Sequence, residues 1–273
     1  MPAPARRLDG LGVVVTGAGQ GIGRALAARA TAEGARVVVN DLDPGTAAAT
    51  AAEIGATPVA GDCSSDAGVR SLVEQAGEAL GRIDVFFANA GIDRTRPDSL
   101  QASDEDWATM IETNVMSHVR AARVLVPTWL ETGGGRFVVT ASAAGLLTMI
   151  GAAPYSVTKH AAVGFAEWLS VTYGERGVRV QVICPQGVQT AMLEQAGPLK
   201  DLLSHDEALP PEAVADAWVD ALDDDRFLVL PHPEVAGYYT ARATDPDRWL
   251  AGMRRLQTKV DRLAGSAHPQ EQA

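Results

Sequence analysis

The sequence predicts an α/β fold, with a doubly wound parallel sheet of about seven strands and helices on both faces. Short runs rich in valine and isoleucine alternate with longer alanine-rich segments along most of the chain. The short runs are apolar at nearly every position, which is typical of strands buried on both faces of a parallel sheet. Because crossovers between parallel strands are right-handed, this alternation favours a Rossmann-like sheet.

Strands and helices follow one another in the order that this class requires. The predicted strands are 12–16, 36–40, 57–61, 83–87, 135–140, 178–183 and 227–230. The predicted helices are 22–33, 46–54, 66–80, 104–130 and 153–175. Gly34 and Gly55 follow the first two helices, where glycine commonly forms the C-cap. We therefore expect a single domain over residues 8–264.

The end of this domain carries an amphipathic pattern. Between about 245 and 264, apolar residues recur at three- and four-residue steps, which predicts a helix with one apolar face. These residues are Trp249, Met253, Leu256, Val260 and Leu263. We expect the helix to pack on its own domain or on a neighbouring subunit. Residues 265–273 are predicted to form a polar tail.

The composition argues against several classes of function. The net charge of −11 disfavours a nucleic-acid partner, which would need a basic face. No apolar run approaches the ~20 residues that cross a bilayer, and the N-terminus lacks the apolar segment of a signal peptide. We therefore expect a cytoplasmic protein with no membrane partner. Cys63 and Cys184 lack the spacing of a metal site or a disulfide framework, and we expect no metal.

A glycine-rich turn joins the first strand to the first helix. Gly17, Gly21 and Gly23 give a Gly-x-x-x-Gly-x-Gly spacing, with Gln20 and Ile22 between them. Glycines let a pyrophosphate approach the backbone, and the helix N-terminus supplies unpaired N–H groups and partial positive charge. We predict a dinucleotide site on this turn, with a plain glycine-rich turn as the alternative.

An acidic residue follows the second strand. Asp41 lies 24 residues after Gly17, close to the ~20-residue spacing of the acid that binds an adenine ribose. A carboxylate accepts hydrogen bonds from ribose hydroxyls and repels a 2′-phosphate. No arginine or lysine follows Asp41 directly, and Arg36 lies at the far end of the strand. The sequence therefore favours NAD over NADP, although Asp41 also suits a turn.

A tyrosine and a lysine lie one helical turn apart. Tyr155 and Lys159 share a helix face because of their four-residue spacing. A free phenol has a pKa of about 10, and a nearby ammonium lowers the pKa of a phenol. We therefore expect the pair to donate and accept a proton. Taken alone, the spacing also fits a half-buried tyrosine beside a solvated lysine.

Together these motifs resemble those of the short-chain dehydrogenase/reductase family, over about residues 8–235. The glycine turn is similar to that family's cofactor loop, and Tyr155 and Lys159 fill its Tyr-x-x-x-Lys motif. Ser142 precedes Tyr155 by thirteen residues and falls where the family has its catalytic serine. The ordered set, with its spacing kept over more than a hundred residues, is far more specific than any one match.

The resemblance implies further residues on the adenine side of the cofactor. Asp62, followed by Cys63, falls where the family has an acid that contacts the adenine ring. Asn89, Ala90 and Gly91 match three places of an Asn-Asn-Ala-Gly motif, which supports the sheet and the adenine side.

The resemblance also implies residues on the nicotinamide side. Asn114 falls at a helix asparagine that orders a water for proton relay from the catalytic lysine, although a cap on a neighbouring strand is an alternative. Pro185, Val188 and Thr190 match positions that contact the nicotinamide half. Gln186 departs from the family, which usually has glycine after this proline.

The chemistry implied by the resemblance is hydride transfer between a nicotinamide cofactor and an alcohol or ketone. Tyr155 would be the general acid or base, Ser142 a second donor to the substrate oxygen, and Lys159 a ligand of the nicotinamide ribose. We expect structural roles for His118 and His160.

The segments that resemble the family's substrate pocket are apolar. Residues 146–150 and 191–203 contain Lys200 as their one cation, whereas a carboxylate or phosphate substrate would want a fixed cation. We therefore expect a small hydrophobic secondary alcohol or ketone. An NADP-dependent carbonyl reductase and an NAD-binding regulator without turnover are the alternatives. Helices 104–130 and 153–175 resemble the family's subunit contacts, so we expect a homo-oligomer, either a tetramer or a dimer.

Overall fold

A seven-stranded parallel sheet organises the chain in this computed structural model, which describes residues 7–94, 99–194 and 208–266. The strands are β1 (Gly12–Val15), β2 (Arg36–Asp41), β3 (Thr57–Ala60), β4 (Val85–Ala88), β5 (Gly135–Thr140), β6 (Val178–Ile183) and β7 (Leu228–Val229). Their order is β3-β2-β1-β4-β5-β6-β7. Strands β2 and β3 extend the sheet on one side of β1, and β4 to β7 extend it in chain order on the other side. The predicted doubly wound α/β class is therefore confirmed.

The helices connect successive strands and cover both faces of the sheet. They are α1 (Gly21–Ala32), α2 (Pro44–Ile54), α3 (Asp66–Leu80), α4 (Asp104–Ile111), α5 (Ser117–Thr132), α6 (Ala153–Tyr173), α7 (Ala191–Glu194), α8 (Pro211–Asp220), α9 (Glu234–Thr244) and α10 (Pro246–Ser266). Local sequence explains many of their ends. Asp43 caps α2 by accepting from the Thr46 N–H at 2.8 Å, and Gly55 ends it with a φ of +70°. No helix in the described ranges is both long enough and apolar enough to cross a bilayer.

The core lies in two layers, one on each face of the sheet. Neighbouring residues of β4 enter opposite layers, as the two-residue strand period requires. Phe86 stacks on Phe137 at 5.8 Å between ring centroids, under α3, α5 and α6. Phe87 meets the edge of Trp218 at 4.6 Å, under α1 and α8. Because both rings are almost completely buried, β4 is held by packing on both faces of the sheet.

The predicted helix 104–130 is wrong in one respect. A π-helical turn, Glu112–Met116, separates α4 from α5. The buried Asn114 lies in this turn and hydrogen-bonds the backbone of Ile92, a contact that a local sequence pattern does not encode. Three helices, α7, α8 and α9, have no counterpart among the sequence predictions. The amphipathic helix predicted at about 245–264 is α10, and residues 267–273 lie outside the described residues.

Candidate active site

A cleft of about 1450 Å³ opens at the carboxyl ends of the central strands. In a doubly wound sheet this is where ligands bind, because the strand order reverses there and leaves a crevice. Ser142, Tyr155 and Lys159 line it. So do all the residues predicted to bind the cofactor: Gly17, Gln20, Gly21, Ile22, Gly23, Asp41, Asp62, Cys63, Asn89, Ala90, Gly91, Pro185, Val188 and Thr190, with Tyr155 and Lys159. Asn114 is the one predicted site residue that does not line the cleft.

The glycine turn at one end of the cleft suits a diphosphate. Gly17 and Gly21 have φ values of +61° and +54°, which favour glycine. A Cβ on Gly23 would lie 2.2 Å from the Gly17 carbonyl oxygen, so the first turn of α1 can pack on the loop only without a side chain. Gln20 makes no side-chain cap and the first turn has no acidic residue, which leaves the positive helix N-terminus directed at the cleft.

A threonine at the end of β1 braces this turn against β4. The Thr16 hydroxyl donates to the Phe87 carbonyl at 2.9 Å and accepts from the N–H groups of Asn89 and Ala90, both at 3.0 Å. The Asn89 amide donates to the Thr16 carbonyl at 2.8 Å. The Asn89 side chain therefore holds the glycine turn in place. The supporting role of Thr16 was not among the predicted site residues.

Asp41 lies at the end of β2 and borders the same turn. One carboxylate oxygen accepts from the Gly19 N–H at 2.9 Å, and the other accepts from the Asp43 N–H at 3.1 Å. The turn-forming alternative is thus present. A carboxylate has about four acceptor sites, so both oxygens retain a lone pair for a ribose hydroxyl. Arg36 lies at the opposite end of β2, where its side chain donates to the Gly10 carbonyl.

Asp62 forms a tight turn at the start of α3. Burial alone would raise the pKa of Asp62, but hydrogen bonds from the hydroxyl and N–H of Ser64, at 2.6 and 2.7 Å, and from Ser65 lower that pKa to about 2. The carboxylate is therefore ionised and committed largely to its own turn. Burial raises the pKa of the neighbouring Cys63 thiol to about 12, which keeps the thiol neutral.

Ser142 follows β5 and is held against α6. Its hydroxyl oxygen accepts from the Ala144 N–H at 3.1 Å within the short turn Ala143–Gly145. A Cβ on Gly145 would lie 2.6 Å from the Lys159 carbonyl oxygen, so glycine lets this loop contact the helix backbone. Ser142 lies near enough to Tyr155 to lower the pKa of its phenol.

Tyr155 and Lys159 lie on one face of α6, as predicted. Burial raises the pKa of Tyr155 to about 12, and the hydrogen bond with Ser142 offsets only part of this rise. The expectation that Lys159 lowers the pKa of Tyr155 is wrong for this structure. The Lys159 ammonium lies 5.5 Å from the centre of the phenol ring and donates to the Thr140 carbonyl at 3.0 Å. Burial also lowers the pKa of Lys159 to about 8, so the ammonium is still mostly protonated at neutral pH.

Asn114 lies behind the cleft and supports one wall. Its side-chain oxygen accepts from the Ile92 N–H at 2.8 Å, and its amide donates to the Ile92 carbonyl at 2.9 Å. A Cβ on Gly91 would lie 3.3 Å from both the Asn114 oxygen and the Lys159 ammonium. Asn114 thus holds the segment after β4 close to Lys159, in agreement with the capping alternative. The water relay implied by the resemblance stays a prediction.

Gln186 has a defined structural role. Its N–H donates to Nδ1 of the buried His232 at 3.1 Å, and its side-chain amide donates to Glu234 at 2.9 Å. These bonds tie the loop after β6 to the start of α9. The departure from the usual glycine therefore adds a connection that glycine could not make.

The remaining walls of the cleft are mostly apolar. Leu147, Met149 and Ile150 line it, as predicted for the segment after Ser142. Met192 and Leu193 line it from α7, whereas Lys200, Leu202 and Leu203 lie outside the described residues. Helices α9 and α10 also contribute to the lining, which the sequence did not predict, through Tyr238 of α9 and Trp249, Met253 and Leu256 of α10. The amphipathic pattern of α10 marks its apolar face but not what that face meets.

Comparisons with known proteins agree with these motifs. A family model described as short chain dehydrogenase matches residues 12–200. An uncharacterised NAD-dependent oxidoreductase of Mycobacterium tuberculosis is 33% identical over 224 residues, which are 75% of this chain and 81% of the relative. The meso-2,3-butanediol dehydrogenase of Serratia marcescens is 34% identical over 249 residues, with 88% and 98% of the two chains covered.

A solved structure is similar over most of the chain. It is a short chain dehydrogenase/reductase from Burkholderia phymatum in complex with NAD, with a TM-score of 0.80 and 30% sequence identity. The superposition covers 88% of this chain and 95% of that chain.

Proposed function

Because the chain belongs to the short-chain dehydrogenase/reductase family, we propose that it is an NAD-dependent oxidoreductase that interconverts a hydrophobic secondary alcohol and its ketone. The observation that carries this proposal is the meeting of Ser142, Tyr155 and Lys159 in the cleft that also holds the glycine turn. A nicotinamide cofactor bound on the glycine turn could then exchange hydride with a substrate held by the hydroxyl groups of Ser142 and Tyr155. The names of the similar proteins in Mycobacterium and Serratia agree with this class of reaction.

The cofactor is NAD, held by the glycine turn and by Asp41. When bound, NAD supplies or accepts the hydride. The carboxylate of Asp41 receives the ribose hydroxyls and disfavours a 2′-phosphate. Among the described residues, the cations nearest the turn are already paired: Arg24 with Glu53 at 2.6 Å, and Arg29 with Asp216 at 2.7 Å. A 2′-phosphate would have to break such a pair to gain a cation.

Tyr155 transfers the proton. With its pKa raised to about 12, the phenol stays protonated at neutral pH and can donate to a ketone oxygen as negative charge develops there. Ser142 is the second donor, because its hydroxyl oxygen is fixed by Ala144 while its proton makes a long 3.5 Å contact with the Pro185 carbonyl that a substrate oxygen could replace. Lys159, whose ammonium donates to the Thr140 carbonyl at 3.0 Å, binds the nicotinamide ribose.

Replacement of the phenol tests this assignment. Tyr155→Phe removes the transferable proton and should lower turnover by at least about 100-fold, the usual scale of general acid–base catalysis. Binding of NAD, measured by calorimetry, should be unchanged. Tyr173→Phe, at the far end of α6, is the matched control and should keep full activity. Turnover is read from NADH absorbance with a panel of hydrophobic ketones. Full activity in Tyr155→Phe would show that another group carries the proton.

Cofactor preference is a separate prediction. We expect NADH to be used at least tenfold more efficiently than NADPH, a difference of about 1.4 kcal/mol, because Asp41 meets the 2′-position. The comparison uses kcat/KM for each cofactor with the same ketone. Equal use of the two cofactors would favour the alternative of an NADP-dependent carbonyl reductase.

The chain also forms a homo-oligomer through α6. This helix exposes an apolar stripe at heptad-like spacing on the side away from the sheet, formed by Val157, Ala161, Gly164, Trp168 and Val171. Val171 is 81% and Trp168 is 54% exposed. Such a stripe suits packing against the same helix of a second subunit.

A further inference from the structure

Helix α9 is fixed at both ends to the segments that carry the catalytic groups. At its start, Val235 is fully buried and Glu234 accepts from the Gln186 amide at 2.9 Å. Near its end, the Arg242 guanidinium donates to the Leu146 carbonyl and contacts Nε2 of His160 at 3.2 Å. Gln186 follows Pro185 of the β6 loop, Leu146 belongs to the Ser142 loop, and His160 follows Lys159. The position of α9 is therefore set relative to the reacting groups.

Between these anchors, α9 and α10 present apolar side chains to the cleft. Tyr238 of α9 and Trp249 of α10 lie 6.5 Å apart between ring centroids, with their planes tilted by 43°. Met253 and Leu256 continue the surface along α10. None of the four is fully buried, and Tyr238 remains 38% exposed. The two helices thus leave an apolar and partly aromatic surface directed at the cleft.

The segment after Ser142 and helix α7 also give the cleft an apolar lining, and the arginines among the described lining residues are paired. Leu147, Ile150 and Met192 face the cleft there. Arg94 lines it too, but its guanidinium lies 3.6 Å from the Asp106 carboxylate. An anionic group would therefore find no free partner on this side, whereas a hydrocarbon body would be covered from both walls.

We propose that α9 and α10 form the specificity wall of the cleft, with Tyr238 and Trp249 selecting alcohols and ketones that carry a bulky ring or branched hydrocarbon body. The inference rests on the proposed function, because it names the class of substrate presented to Tyr155. A bulky body would bury apolar area on both rings and on Met253, whereas a short-chain ketone has far less apolar area to bury there. The preferred substrate is thus larger than the small alcohol expected from the sequence.

The test compares a bicyclic ketone, decalone, with a short one, butanone. Tyr238→Ala and Trp249→Ala should each lower kcat/KM for decalone at least tenfold and leave that for butanone within twofold. The matched controls are Tyr239→Ala and Leu250→Ala, whose side chains are 42% and 49% exposed and do not line the cleft. Tyr238→Phe keeps the ring and should keep the preference for decalone. Unfolding midpoints of all variants report any general loss of fold.

A binding measurement separates the specificity wall from the proposed chemistry. In a Tyr155→Phe background loaded with NADH, calorimetry should show decalone binding that weakens at least tenfold with Tyr238→Ala and not with Tyr239→Ala. If the wild type turned over no ketone but decalone binding followed this pattern, the proposed reaction would be refuted and the specificity wall would be supported. Equal losses for decalone and butanone, equal losses in the controls, or no decalone binding would overturn the wall.

Discussion

Lys159 is a charged residue in an almost completely buried position. It is 4% exposed, and its ammonium has the Thr140 carbonyl as a hydrogen-bond partner at 3.0 Å. Burial lowers the pKa of Lys159 to about 8, and the nearby Asp93 carboxylate offsets only part of that change. Burial also lowers the pKa of His118 to about 3, and the positive charge of Lys159 makes a smaller contribution in the same direction. The His118 imidazole is therefore neutral. The positive charge of Lys159 is therefore held at a cost to folding.

This cost predicts a pH dependence of stability. Below about pH 8, Lys159 is protonated in both the folded and the unfolded chain, and the penalty for burying its charge is complete. Between about pH 8 and the unfolded value of 10.5, the folded chain has released this proton and the unfolded chain has not, so stability rises with pH. The shift corresponds to about 3 kcal/mol.

The comparison with Lys159→Met isolates this residue. We expect the free energy of unfolding of the wild type, relative to that of the variant, to increase by about 2 to 3 kcal/mol between about pH 7 and pH 10. Urea denaturation at several pH values measures both proteins. Other titrating groups, including Tyr155, are common to the two and cancel. A difference that stays constant across this range would show that the ammonium is not buried as described.

At the scale of elements, local sequence predicted those parts that local contacts determine. The strands are continuous apolar runs, and α3 runs over 66–80 as expected because Ser65 caps it and Gly81 ends it. The π turn at Asn114 and the position of α9 depend instead on contacts between residues far apart in the chain, such as Asn114 with Ile92. The cofactor turn was predictable because glycine spacing reflects backbone geometry. The specificity wall was not, because an amphipathic helix does not reveal its partner.

The junction of the glycine turn with α1 gives a sharp element-level prediction. In Gly23→Ala the new methyl group would lie 2.2 Å from the Gly17 carbonyl oxygen and 2.5 Å from the Asn89 amide. We expect NAD binding to weaken at least tenfold and stability to fall by about 1 to 3 kcal/mol, because the loop must move. Calorimetry with NAD and urea denaturation measure the two effects.

Gly77→Ala is the matched control for this substitution. Gly77 also lies within a helix, α3, and a Cβ there meets nothing within 4 Å. Alanine should therefore raise stability by about 0.5 to 1 kcal/mol through better helix propensity and leave NAD binding unchanged. Normal NAD binding by Gly23→Ala would mean that the turn is not the diphosphate site.

At the scale of the whole molecule, the apolar surface is distributed unevenly. One face of α6 is buried against the sheet through Ala162, Ala166 and Leu169. The same helix carries Tyr155 and Lys159, and its outer side exposes Trp168 and Val171. A second subunit packed on this side would cover the apolar stripe and restrain the helix that holds the catalytic pair. Such packing would link assembly and catalysis through a single helix.

This link predicts that disrupting the stripe changes both mass and activity. Val171→Asp places a charge at the C-terminal end of the proposed contact, at the most exposed of its large apolar side chains, where burial without a partner is costly. We expect light scattering to show a smaller species than the wild-type dimer or tetramer, with lower turnover because α6 loses its support. Leu250→Asp, at a side chain of α10 that is 49% exposed, is the control and should change neither. A monomeric wild type, or an unchanged mass of the Val171→Asp variant, would contradict assembly through α6.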